Sequence, residues 1–191
     1  MEAFLISTGV VALAEIGDKT QLLALVLAAK YKRPLPIILG ILIATLLNHA
    51  AAGYVGAWVA HAVGAELMRW ILGLSFIAMA AWMLVPDKLD DNNDTQPARY
   101  GVFLTTFMVF FIVEIGDKTQ IATVALAAKY ASLVAVVGGT TLGMMLANVP
   151  AVLLGEVAAK KLPMRLVHGV AAAIFALLGV LVLLGVGGSW V

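Results

Sequence analysis

Apolar residues run along this chain in long, almost unbroken blocks, and the few charges gather between them. Residues 34–65, 70–86, 130–155 and 166–191 contain no Asp, Glu, Lys or Arg. A helix crossing the hydrocarbon core of a bilayer needs about 17–25 mostly apolar residues, so these blocks predict spanning helices 2, 3, 5 and 6. Two more apolar blocks, 3–29 and 100–128, are each interrupted once, by the same heptapeptide EIGDKTQ. They predict spanning helices 1 and 4. The one long polar stretch is 87–99, DKLDDNNDTQPAR, whose four acids, two basic residues, Asn92, Asn93 and Pro97 predict a solvated linker. It lacks the mid-loop Gly and closing Glu of an EF-hand. The expected fold is an all-α integral membrane protein with six transmembrane helices. Its halves are 1–86 and 100–191, joined by the acidic linker 87–99.

Composition removes the soluble alternatives. Charged residues make up 12% of the 191 and apolar ones 63%, with a mean hydropathy of +1.04, whereas soluble domains carry about 25% charged residues. So sparse a charged shell cannot solvate a globule of this size, and a soluble enzyme is excluded. The net charge of +1, with no large basic cluster, gives no reason to expect a nucleic-acid partner. Without Cys there is no disulfide, no thiolate metal site and no cysteine nucleophile. The start, Met1-Glu2, lacks the positive n-region of a cleavable signal.

Loop charges suggest an orientation. With six spans, Lys30, Lys32, Arg33, Lys88, Arg99, Lys160, Lys161 and Arg165 fall on one side and only Arg69 and Lys129 on the other. The positive-inside bias then puts the linker in the cytoplasm and both termini outside. Trp58, Trp70 and Trp190 fall near the outer interface and Trp82 near the inner one, as an aromatic belt.

The halves are copies of one another. Residues 15–31, EIGDKTQLLALVLAAKY, recur at 114–130 as EIGDKTQIATVALAAKY, with 12 of 17 positions identical at an offset of 99. Gly40 matches Gly139, Asn48 lies 100 residues before Asn148, and MRWILG from Met68 resembles MRLVHG from Met164. A duplicated unit of three spans is odd-numbered, so the second copy is inverted in the bilayer. Inverted repeats with a midplane binding site between them are a recurrent plan of secondary transporters.

Counting residues along helices 1 and 4 places Glu15 and Glu114 at mid-bilayer, with Asp18 and Asp117 about one turn away. On a continuous helix each Glu and Asp share a face, flanked by Lys19 or Lys118. An ionised side chain at that depth costs about 2.5–3.5 kcal/mol, so six of them need a purpose. Pairs at i,i+4, Glu15 with Lys19 and Glu114 with Lys118, would account for half of the acids. One negative charge per repeat is left over, and two facing surplus charges match a divalent cation. Further donors are the hydroxyls of Thr20 and Thr119, the amides of Gln21, Gln120, Asn48 and Asn148, and freed backbone carbonyls. All-oxygen ligands favour Mg²⁺, Ca²⁺ or Mn²⁺ over Zn²⁺ or Cu⁺. Gly17 and Gly116 permit either local unwinding or close helix approach, and Pro150 frees the carbonyl of Leu146. His49, His61 and His168 have no counterpart in the other repeat and are not expected to be ligands.

The duplicated E-x-G-D-[KR]-[TS] motif, three spans per repeat and an acidic linker resemble the Gdt-type cation transporters, and the resemblance covers essentially all six helices. It implies a cation/proton exchanger with Glu15, Asp18, Glu114 and Asp117 as the ion-binding acids. It also implies a bacterial inner-membrane protein exporting Mn²⁺. The partners expected are then a divalent cation, protons and the lipid bilayer, with the metal as substrate and no cofactor. Ca²⁺/H⁺ exchange is the alternative within this class. A divalent-cation channel and a non-transporting membrane subunit are the alternatives outside it.

Overall fold

A computed structural model describes residues 1–85, 101–130, 132–154 and 164–185. Every regular element among them is an α-helix: α1 (Glu2–Glu15), α2 (Lys19–Tyr31), α3 (Pro34–Ala62), α4 (Ala65–Met83), α5 (Val102–Glu114), α6 (Lys118–Lys129), α7 (Leu133–Leu154) and α8 (Met164–Leu183). The acidic linker 87–99, with Lys88 and Arg99, lies outside the described residues, as do Lys160, Lys161 and Trp190.

The four charge-free blocks become α3, α4, α7 and α8. The two motif-bearing blocks do not become continuous helices. Predicted helix 1 is α1 followed by α2, and predicted helix 4 is α5 followed by α6. Both breaks have the same backbone. Ile16 and Ile115 are extended (ψ 114° and 121°), and Gly17 and Gly116 follow at φ 84° and 76°. That left-handed region costs a residue with a Cβ about 1–2 kcal/mol and glycine nothing. Asp18 and Asp117 then restart the chain as N-caps of α2 and α6, with ψ 167° and 162°. The half-helices have 14, 13, 13 and 12 residues, or about 18–21 Å each at ~1.5 Å per residue. A break between two such pieces falls near the middle of a hydrocarbon core about 30 Å thick.

Polarity is distributed inside out relative to a water-soluble fold. Glu15, Asp18, Glu114, Asp117 and Lys118 are buried, while Leu39, Ile43, Leu47, Trp58, Trp70, Leu74, Met108, Ile112 and Leu177 are exposed. A bilayer rewards that arrangement and water does not. Three helices are individually long and apolar enough to cross a membrane, Pro34–Ala62, Glu66–Met83 and Leu133–Leu154, and shorter apolar helices accompany them. The chain is a multi-pass membrane protein.

Helix contacts are reciprocal between the halves. α7 packs on α1 and α3 on α5; likewise α7 meets α2 and α3 meets α6. Small residues set these crossings. A Cβ placed on Gly139 would lie 2.5 Å from Phe4 O and 2.9 Å from Ser7 Cβ. One placed on Gly40 would lie 2.9 Å from Phe103 O and 2.8 Å from Thr106 Cβ. Phe4 and Phe103, and Ser7 and Thr106, are each 99 residues apart, so the same contact is made twice. α4 and α8 close the bundle against each other, through Gly73 and Gly179 and the tilted ring pair Phe76–Phe175 at 6.2 Å.

Candidate cation site

The two helix breaks bring three of the four motif acids together and leave Glu114 outside the group. One carboxylate oxygen each from Glu15, Asp18 and Asp117 lie within 4.8 Å of one another, and all three residues are buried. Glu15 ends α1, Asp18 begins α2 and Asp117 begins α6, so the cluster draws on both breaks. Asp18 and Asp117 stand at helix N-termini, where the unpaired N–H groups and the dipole favour negative charge.

The lysines pair differently from the i,i+4 expectation. Lys19 Nζ lies 2.9 Å from Asp117 Oδ1, and Lys118 Nζ lies 3.4 Å from Asp18 Oδ1. Each ammonium thus crosses to the aspartate of the other half. The break explains why: once the helix stops at Glu15, the four-residue spacing from Glu15 to Lys19 no longer stacks the two side chains.

The asparagines cross over as well. Asn48 Nδ2 donates to Glu114 Oε2 at 3.0 Å and to Phe111 O at 3.1 Å. Asn148 Nδ2 donates to Glu15 Oε2 at 3.3 Å and to Met144 O at 3.0 Å. The amide is therefore at matching depth in both halves, as the repeat implied. Thr20 Oγ1 donates to Glu15 Oε2 and is 3.5 Å from Asp18 Oδ2. Thr119 Oγ1 donates to Asp117 Oδ2 at 3.3 Å.

Gln21 and Gln120 have a backbone role. Their Oε1 atoms accept the Gly17 and Gly116 N–H groups at 2.8 and 2.7 Å, satisfying donors that the interrupted helices leave without partners. Gln21 Nε2 also donates to Ala147 O at 3.0 Å, tying the first break to α7 one residue before Asn148. These amide oxygens hold the breaks in shape rather than standing open toward the acids.

Several buried oxygens have no hydrogen-bond donor: Glu15 Oε1, Glu114 Oε1 and Asn148 Oδ1. Leaving such a group unsatisfied costs about 1–3 kcal/mol, more for a charged one. Glu15 belongs to the three-carboxylate cluster, and carboxylate oxygens of this kind are ligands that hard cations take.

The family model described as "Divalent cation/proton antiporter GDT1" matches residues 3–91 and 102–189. The chain belongs to this family. It is therefore a member of a family of cation and proton transporters, not of enzymes. Within curated proteins the chain is 50% identical over 179 residues to a candidate manganese exporter of Vibrio cholerae, covering 93% of this chain and 88% of that one. It is 26% identical to a GDT1-like protein of Synechocystis, covering 94% and 96%. It is 25% identical to GDT1-like protein 5 of Arabidopsis thaliana, covering 94% of each. No solved structure matches the chain.

Two residues at the site carried no signal in the repeat. His49, fully buried on α3, places Nε2 3.5 Å from Glu114 Oε1. His168 on α8 donates from Nε2 to Ile16 O at 3.0 Å, binding a carbonyl freed by the first break. Both lack a counterpart in the other half, so a search for duplicated residues passes over them.

Proposed function

We propose that this chain is a six-span exporter of Mn²⁺ that exchanges the ion for protons, and that Glu15, Asp18, Glu114 and Asp117 are the acids that carry both. The convergence of Glu15, Asp18 and Asp117 oxygens from two separate helix breaks carries the reading. Thr20, Thr119, Asn48 and Asn148 complete the site by orienting these carboxylates, and Gln21 and Gln120 hold the breaks. The metal is the substrate and no cofactor takes part. The 50% identity to a candidate manganese exporter favours Mn²⁺ as the ion.

Residues 1–86 and 100–191 form two inverted three-span repeats joined by a cytoplasmic linker at 87–99, with both termini outside and the chain in the bacterial inner membrane. The reciprocal contacts of Gly40 and Gly139 support a pseudo-two-fold relation, and the odd number of spans turns the second copy over. The absence of native Cys allows sidedness to be read with single cysteines. Asp91→Cys should be protected from an impermeant thiol reagent in intact cells, and Gly64→Cys should be labelled. Equal labelling of both would remove the inverted arrangement.

Charge sets the coupling. Four carboxylates and two ammonium groups leave a surplus of two negative charges, which one divalent cation or two protons cancel. Carrying the bare surplus through a low-dielectric gate is costly, so only a neutralised site turns between the two sides. The exchange is one Mn²⁺ for two H⁺, with one repeat rocking against the other. Mn²⁺ flux into proteoliposomes at a fixed pH gradient should not change as the membrane potential is clamped at different values. A flux that follows voltage rejects this ratio, and uptake without proton countertransport marks a channel.

A further inference from the structure

His49, like His168, breaks the two-fold pattern of the site, and His49 does so against a motif acid, Glu114. The corresponding position beside Asn148 is Val149. His49 is fully buried, and neither ring nitrogen has a hydrogen-bond partner. Its Nε2 faces Glu114 Oε1 across 3.5 Å, an ion pair only when the ring is protonated; that oxygen accepts no well-formed hydrogen bond, although the Thr45 hydroxyl lies by the same carboxylate. Two unpartnered polar atoms side by side in a buried position are costly and call for an explanation. Glu114 is also the one motif acid outside the three-carboxylate cluster, held instead by Asn48.

We infer that His49 and Glu114 form a second, nitrogen-bearing subsite on the cation path, which favours a divalent transition-metal ion over Ca²⁺. This rests on the reading of the motif acids as that path. Ca²⁺ takes oxygen ligands, whereas a first-row transition ion accepts imidazole nitrogen with carboxylate and amide oxygens. An ion held between His49 Nε2 and Glu114 Oε1 satisfies both unpartnered atoms together. A second Glu–Asn pair alone would present only oxygen and would not separate the two ion classes. The subsite thus supplies selectivity that the all-oxygen cluster of Glu15, Asp18 and Asp117 lacks.

The purified full chain, grown with ¹⁵N-histidine and loaded with Mn²⁺, should show directly bound ¹⁵N imidazole coupling in pulsed EPR. The coupling should persist in His61→Gln and vanish in His49→Gln. In His49→Gln the preference for Mn²⁺ over Ca²⁺ in competition binding should fall by about tenfold or more, with Ca²⁺ binding itself retained. Mn²⁺ bound in the wild-type chain without imidazole coupling overturns this subsite and leaves the acid site standing. No protein-bound Mn²⁺ at all overturns the transport reading and the subsite with it. The wild-type spectrum decides the matter even if His49→Gln does not fold.

Discussion

Glu15→Gln and Asp117→Asn are each expected to lower Mn²⁺ uptake into proteoliposomes by about 100-fold or more. Loss of an outer-shell partner alone typically costs 10–100-fold at a metal site, and these changes remove a candidate ligand charge. Both substitutions keep the shape of the side chain. Glu15 keeps an acceptor for Thr20, and Asp117 keeps one for Thr119. Insertion and the chromatographic behaviour of the purified protein should therefore stay close to wild type while transport is lost. Normal uptake by either variant would show that the carboxylates serve only to hold helices together. The protons should fail with the metal, because the proposed site has one set of acids carry both, so proton efflux driven by a Mn²⁺ gradient should disappear in parallel.

The second large effect concerns the pair that crosses between the halves. Lys118 and Asp18 are both buried, 3.4 Å apart. Removing one partner of a buried pair typically costs about 3–5 kcal/mol, because the other charge is left without compensation in a poor solvent, whereas replacing both by neutral groups is often close to neutral. Lys118→Met should accordingly lower the unfolding temperature in detergent, and Lys118→Met combined with Asp18→Asn should recover most of the loss. The double variant should still fail to transport, since the proposed site counts Asp18 among its ion-binding acids. A double variant no more stable than Lys118→Met would mean that the two side chains are not energetically coupled.

Most of the helical framework was legible in the sequence because bilayer solvation is a strong and simple constraint. A charge-free run of membrane length has few alternatives, so the described residues of 34–65, 70–86, 130–155 and 166–191 fall largely in α3, α4, α7 and α8. The breaks at Gly17 and Gly116 were visible only as one of two options. A glycine serves equally in helix packing and in a left-handed turn, and a continuous apolar block on either side carries no signal that separates them. The pairing of Lys19 and Lys118 could not be read for a different reason. A short-range partner is visible in the spacing along a helix, while a partner about 100 residues away becomes visible only once the halves are folded together. The repeat located Asn48 and Asn148 because it doubles whatever the two-fold site needs. By the same logic it concealed His49 and His168, which serve only one half.

The crossed pairs Lys19–Asp117 and Lys118–Asp18 also bear on how the chain is made. Glu15, Asp18 and Lys19 leave the ribosome about 100 residues ahead of the side chains that complete their surroundings. At a synthesis rate of about 5–20 residues per second this interval lasts on the order of 5–20 s. During that time the first half holds three ionisable groups of which Asp18 and Lys19 lack the oppositely charged partners that the second half supplies. The nascent segment must either wait at the insertion machinery, with its polar stretch still wet, or enter the lipid with those groups in uncharged form. Assembly of this transporter is thus timed by the arrival of residue 118, and a pause in translation between the halves would prolong the most vulnerable stage of its biogenesis.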